Sequence, residues 1–462
     1  VPTLTARRAA GLAALLALAL CLPSLRGGFV MDDAYLVVDN PAIRSLGQIP
    51  GHFAEAWGGG AGGAGHVGVN AAYFRPLTST LYSLEYALFG LHPLAWHAVS
   101  VLLHAAATAL ATLLAVRLLR HPGAGLFAGL VFAVHPVHTE AIAAVCYQTT
   151  LLAGVLAMAG LWALGRVLDS PRKRWVLLTF AFSVLAGLAK EEAVVLPLLG
   201  AAWLAIAAVP DRKRVWLTGL GATLAGAAIV MGARAAVVTG SSVRYFGDAG
   251  ASIIVPTMAR VVTLYAELLL APLRLCPFYD WFIVPPSAAL SASALLGFGL
   301  VVVVLLGVGL SRRRAPAVAI GLSWLALGLA PVMQLVPILN VAAERFLYLP
   351  SLGFAVVLAA AGAWLHERSP RVAIVVASTV IVLFSARTLT RWPDWHDDRA
   401  LNLATARDFP ETPTPFINLA QMEVAAGNKE AALRHLDEAQ HRAPGWPVPI
   451  RMADRIREGR TR

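Results

Sequence analysis

Stretches of roughly 20 apolar residues recur from one end of this chain to the other, and they constrain the fold more than any other feature. A helix crossing the hydrocarbon of a bilayer consumes about 20 such residues. In lipid, every backbone N–H and C=O must also be satisfied within the spanning structure. Of the 462 residues, 58% are hydrophobic and 14% are charged. An ordinary soluble domain has about 45–50% apolar and about 25% charged residues. One water-soluble core could not hide that excess. A soluble enzyme is excluded, and the chain reads as an all-α polytopic membrane protein.

The apolar runs fall near 10–25, 93–116, 123–136, 147–168, 175–190, 192–209, 215–237, 288–310, 316–336, 346–365 and 371–388, which amounts to about eleven crossings. The first follows Arg7-Arg8 and could imitate a secretion signal. No clean small-x-small cleavage site follows the run before Arg26, and further spans come behind it, so a retained helix is expected. Residues 26–91 form a long first loop with a flexible glycine-rich run at 58–63 and an interfacial helix at 75–89.

The net charge is +11. The positives cluster between apolar runs, at 117–120, 172–174, 212–214, 312–314 and 368–371. That is the bias of short cytoplasmic loops, and nucleic-acid binding is the weaker reading. With the N-terminus cytoplasmic, all these clusters fall inside, provided that the apolar stretch near 252–275 is re-entrant or interfacial. The C-terminus then lies outside, in a periplasm or lumen, and the alanine, glycine and arginine bias suggests a bacterial inner membrane. The division expected is a membrane domain at 1–390 and a small soluble helical domain at 391–462. Cys21, Cys146 and Cys276 are isolated, with neither metal-ligand nor disulfide spacing.

The tail from Pro413 to Gly445 has the form of one tetratricopeptide repeat. Asn418-Leu419-Ala420 stands in its first helix and Gly427-Asn428 at the turn; Ala431, Leu433 and Ala439 follow, with a closing Pro444. Residues 401–410 could be the second helix of a degenerate preceding repeat. Such a short array reads either as a cap on the membrane domain or as a docking site.

Polar residues at the edges of apolar runs need a reason to be there. Asp32-Asp33 follow the first helix, where a carboxylate at the mouth of an apolar cavity can acquire a raised pKa and take a proton from a hydroxyl. Tyr73 and Arg75 start the interfacial helix, and the planar fork of Arg75 suits phosphate. His135, His138 and Glu140 could bind phosphate, a divalent metal or a helix end; they lack helical zincin spacing, and Pro136 interrupts the helix. Lys190-Glu191-Glu192 breaks an otherwise apolar stretch. Glu344, Arg345 and Tyr348 begin another helix, with Arg345 and Tyr348 on one face and Glu344 placed to orient Arg345. In the eleven-span arrangement all of these meet at the outer face, as carboxylates and cations around a cavity suited to an anionic lipid headgroup.

The strings FVMDDAYLVVDNPAI (29–43), YFRPLTSTLYSLEYALFGLHPLAWHAVSVLLH (73–104), AVHPVHTEAIA (133–143), AKEEAVVLP (189–197) and AERFLYLPSLGF (343–354) resemble the transmembrane-and-tetratricopeptide-containing O-mannosyltransferases and their bacterial relatives. These are polytopic glycosyltransferases of the GT-C superfamily. The resemblance covers about residues 7–390. Met31 departs from the family pattern, in which an aromatic residue precedes the acid pair, and the tail is shorter than the family's usual arrays.

The resemblance implies an inverting transfer of a sugar, mannose among the candidates, from a polyprenyl-phosphate donor to a hydroxyl on a protein, glycan or lipid at the outer face. An acid of the first outer loop would be the base, Asp33 ahead of Asp32. Arg345, Arg75, His138, His135 and Lys190 would bind the donor phosphate, supported by Glu344, Tyr348, Tyr73, Glu140 and Glu191. Phosphate is already a good leaving group, so no cofactor is expected. A non-catalytic scaffold recruiting envelope partners through its tail, or a lipid or solute transporter, are the alternatives.

Overall fold

The computed structural model describes residues 4–57, 73–207, 212–238 and 244–460; the glycine-rich run at 58–63 lies outside them. The described residues are helices joined by short turns. In chain order the longer ones are α1 (Ala6–Cys21), α2 (Pro76–Phe89), α3 (Pro93–Leu119), α4 (Pro122–Val134), α5 (Gln148–Asp169), α6 (Lys173–Ala189), α7 (Leu196–Ile206), α8 (Gly221–Val237), α9 (Ala251–Leu270), α10 (Ala292–Ser311), α11 (Pro316–Leu329), α12 (Pro350–Arg368), α13 (Pro370–Arg391), α14 (Asp398–Asp408), α15 (Thr414–Ala425), α16 (Lys429–Arg442) and α17 (Pro447–Arg457). Proline at the first or second position starts many of them, where its missing N–H costs nothing.

By length and composition, 7 of these helical segments could cross a membrane, and 8 if α4 and the short helix after His135, bent by 50°, form one span. The segments expected at 192–209 and 316–336 give the shorter helices α7 and α11, 11 and 14 residues long, or about 16 and 21 Å. α10 shows the bilayer as solvent: it buries only Ala294 and Gly297 and exposes Leu296, Val303, Leu306 and Leu310.

Helices consecutive in the chain, such as α3 with α4 and α11 with α12, pack as antiparallel hairpins, and glycines set their spacing. A Cβ on Gly353 of α12 would lie 2.3 Å from the Gly321 carbonyl oxygen of α11, and one on Gly125 of α4 would lie 2.2 Å from Val116 of α3. Small residues let helix backbones approach in this way inside membranes. These hairpins sort the chain ends of the helices. Arg117 pairs with Asp169 across α3 and α5, Gly219 abuts Leu164, Gly307 abuts Leu322, and Gly362 abuts Phe127. The basic clusters thus gather at one end of the bundle.

α9 is long and apolar enough to cross, and the segments on its two sides are bonded to one another and to the turns around the site. Before it, the Tyr245 hydroxyl donates to the Val284 carbonyl. At its close, Leu269 O is hydrogen-bonded by His135 and the Cys276 N–H donates to Glu344.

Helices α14 to α17 form the appendage beside those segments. α15 and α16 turn at Gly427, whose φ of +81° falls in the left-handed region that glycine enters without strain. Ile417, Ala420, Ala432, Leu436 and Ala439 fill the space between them. Asp280 fastens the appendage to the membrane part by accepting the Thr412 and Thr414 hydroxyls at 2.7 and 2.5 Å.

Candidate functional site

The loop leaving α1 carries the two adjacent acids, and its backbone sends them to different places. Met31 has φ +54°, a left-handed conformation costing a side-chain-bearing residue roughly 1–2 kcal/mol. Asp33 is 0% exposed. Its carboxylate accepts the N–H groups of Val30, Val145 and Cys146 at 3.0, 3.1 and 2.5 Å. Burial pushes its pKa up to about 7, against those three N–H donors. It is a clamp joining the first loop to the turn before α5. Asp32 is half-buried and takes a hydrogen bond from the Tyr35 hydroxyl. Burial raises its pKa, and the Arg345 charge opposes that rise.

Three cations from separate elements gather in this neighbourhood, with Arg345 acting on Asp32 itself. Arg75, at the start of α2, stacks over Trp57 and Tyr73 with its guanidinium carbon 4.3 and 4.4 Å from the ring centres. Its Nε donates to Glu191 at 2.9 Å, and the Phe74 N–H donates to the other Glu191 oxygen at 2.5 Å. Lys190, which ends α6, donates to Thr150 at 3.0 Å and pairs with Glu192 at 2.9 Å. Arg345 follows a turn at the end of the 330–343 segment. Its backbone N–H donates to Glu140 at 2.6 Å, and its Nη1 donates to the other Glu140 oxygen. The guanidinium lies 4.1 Å from the Tyr147 ring centre.

The three form one electrostatic neighbourhood. The charges of Arg75 and Arg345 both act on Lys190 and on Tyr73, Arg75 acts on Tyr35, and the Phe346 ring lies between Lys190 and Arg345. Each cation is held by a carboxylate and an aromatic face. That fixes its geometry ahead of any ligand and leaves the remaining guanidinium and ammonium hydrogens for one.

Several expected members sit elsewhere. His138 is 1% exposed; its Nδ1 is hydrogen-bonded with Phe132 O and its Nε2 with the Ser351 hydroxyl, both at 2.9 Å. His135 Nε2 is hydrogen-bonded with Leu269 O at 3.0 Å, and its ring packs on Phe384. The Tyr348 hydroxyl is engaged by His104 at 3.0 Å. These groups are a buried histidine–aromatic cluster inside the bundle, with their polar atoms used up, so they hold helices rather than phosphate. Glu344 does not orient Arg345. It accepts the Cys276 N–H at 2.5 Å, faces Arg391 at 4.0 Å, and is raised by burial to about 8. Glu140 does the orienting.

Sequence reasoning passed over Tyr35, Trp57, Tyr147, Thr150 and Glu192. Glu192 stood in a motif already singled out, and Tyr35 lay in the quoted acid string. Trp57 and Tyr147 carried no local signal. Among the described residues, no group of three or more His, Cys, Asp or Glu side chains is placed to hold a metal ion. All three cysteines are buried and free.

No family model matches the chain. Curated relatives do. The human protein O-mannosyl-transferase TMTC4 is 27% identical over 480 residues, 89% of this chain and 63% of that protein. The mouse TMTC3 is 24% identical across 91% of this chain and 50% of its own length. The mouse TMTC1 reaches 37% identity over 169 residues, 35% of this chain and 17% of its own length. These homologues bear out the family resemblance read from the motifs. The chain spans only one half to two thirds of the relatives that it matches over most of its length.

Proposed function

We propose that this chain is an inverting membrane glycosyltransferase. It takes a sugar, mannose by likeness to its relatives, from a polyprenyl-phosphate donor and places it on a hydroxyl of a protein, glycan or lipid acceptor. The placement of Asp32 beside Arg345, in the neighbourhood of Arg75 and Lys190, carries the reading. It supplies one half-exposed carboxylate beside fixed cations at the end of the bundle opposite the basic clusters. The positive-inside bias puts that end, the acceptor and the appendage outside, with the N-terminus in the cytoplasm and the inner membrane as the site of action.

Asp32 takes the role of base from Asp33, because every Asp33 oxygen is committed to backbone N–H groups. The acceptor oxygen attacks the anomeric carbon from the face opposite the phosphate. Its proton passes to the Asp32 carboxylate as the O–C bond forms. The bond from the anomeric carbon to the phosphate oxygen breaks, and the electron pair leaves with polyprenyl phosphate. Arg345, Arg75 and Lys190 stabilise the charge that grows on that phosphate, where preorganised cations act most strongly. The step needs no metal, so chelation by EDTA should leave the rate unchanged.

A transfer assay with defined polyprenyl-phosphate mannose in detergent or liposomes tests the proposal. Turnover by the native protein and its loss in Asp32→Asn, with membrane insertion intact, support it. Undiminished turnover in Asp32→Asn removes Asp32 from the mechanism.

A further inference from the structure

The left-handed residue that precedes the acid pair is held by the appendage. The Met31 N–H donates to Asp398 Oδ1 at 2.7 Å, across 367 residues of chain. A second bond runs beside it, from the Gly28 N–H to the His396 carbonyl at 2.9 Å. Asp398 is not occupied as the cap of α14, because Asp397 performs that task by accepting the Ala400 N–H at 2.8 Å. The Asp398 carboxylate is therefore free to turn toward the membrane part, and it meets the N–H of the left-handed residue from which the chain enters Asp32. The charge of Asp398 also acts on Asp32.

We propose that Asp398 is a positioning residue for the acid loop: by accepting the Met31 N–H it holds Met31 left-handed, and so aims Asp32 at the acceptor hydroxyl. The appendage is then a working part of the site, beyond being a cap or a docking surface. This inference rests on reading Asp32 as the base.

Three variants and two readouts test it in the full-length protein. Asp398→Ala removes the acceptor. It should speed amide exchange in the peptide containing Met31, and it should lower kcat at least about tenfold with the donor KM unchanged, since displacement of a catalytic group by about 1 Å can cost about a hundredfold. Asp398→Asn keeps an acceptor oxygen and should retain most of the activity. Met31→Gly placed in the Asp398→Ala background should recover part of kcat, because glycine adopts the left-handed conformation without the clamp.

Unchanged exchange in Asp398→Ala overturns the clamp. Faster exchange with unchanged kcat overturns the positioning role, and so does an Asp398→Asn protein as impaired as Asp398→Ala. Failure of the base assignment is a separate result: Asp32→Asn would stay active while the exchange readout still reported the clamp.

Discussion

At the residue scale, Asp32 and Asp33 are neighbours with opposite duties, and substitutions should separate them. Asp32→Asn should lower turnover by about 10²–10⁴-fold, the usual contribution of a general base, with little change in thermal stability. Asp33→Asn would turn an amide toward three backbone N–H donors and leave at least one of them unsatisfied. It should cost about 1–3 kcal/mol of stability, seen as a lower unfolding temperature in detergent. The proposed mechanism needs Asp32 ionised, so the rate should rise with pH along an acid limb set by its raised pKa. Arg345 favours the ionised form. Arg345→Gln should therefore move that limb to higher pH and lower kcat, by about 10²-fold if one charge-stabilising donor is lost. Glu85 is shifted the same way, and there the consequence is for stability. Burial lifts its pKa to about 8, so the folded state favours the protonated carboxyl. The stability this lends is full below the ordinary carboxylate range and is lost as pH rises through about 8. Glu85→Gln should flatten that alkaline loss, measured as unfolding temperature against pH.

At the scale of elements, the turns matter more than the helices they join. The turn carrying Arg345 meets the short helix Thr139–Ala143 through Glu140, a buried pair whose Glu140 side chain is 0% exposed. Breaking such a pair from one side strands the other charge. Glu140→Gln should cost about 3–5 kcal/mol, more than the same change at the better exposed Glu192. Helix contact has its own test in Gly353, whose Cα faces the Gly321 carbonyl across α11 and α12. Gly353→Val forces the two helices apart, and it should cost about 1–3 kcal/mol or more and lower the yield of folded protein. The helices themselves were legible in the sequence, because apolar periodicity and proline starts are local. The path of α9 was not readable from its own residues, since it has the length and composition of a span. Charge placement along the whole chain favours its return, and the bond from Tyr245 to Val284 joins the segments before and after it.

At the scale of the molecule, the bundle has a basic end and a carboxylate-bearing end, and the appendage is fastened over the latter by Asp280, Arg274 and Asp398. Removing residues 395–462 should lower the unfolding temperature and the turnover together, because the same bonds serve both. A scaffold whose tail only recruits partners would lose partner binding alone, and would bind no lipid-linked sugar. By itself the sequence determined the membrane class, the helical fold and the segments that meet at the candidate site. Each of these follows from residues within one stretch, where apolar length and a few costly charges are sufficient signals. Only the tertiary structure decided which acid is free, which cations converge, and why His138 and Tyr348 do not join them. Those outcomes depend on hydrogen bonds between segments far apart in the chain, such as Arg345 to Glu140 across 205 residues. A buried polar group takes its role from whichever partner folding brings to it.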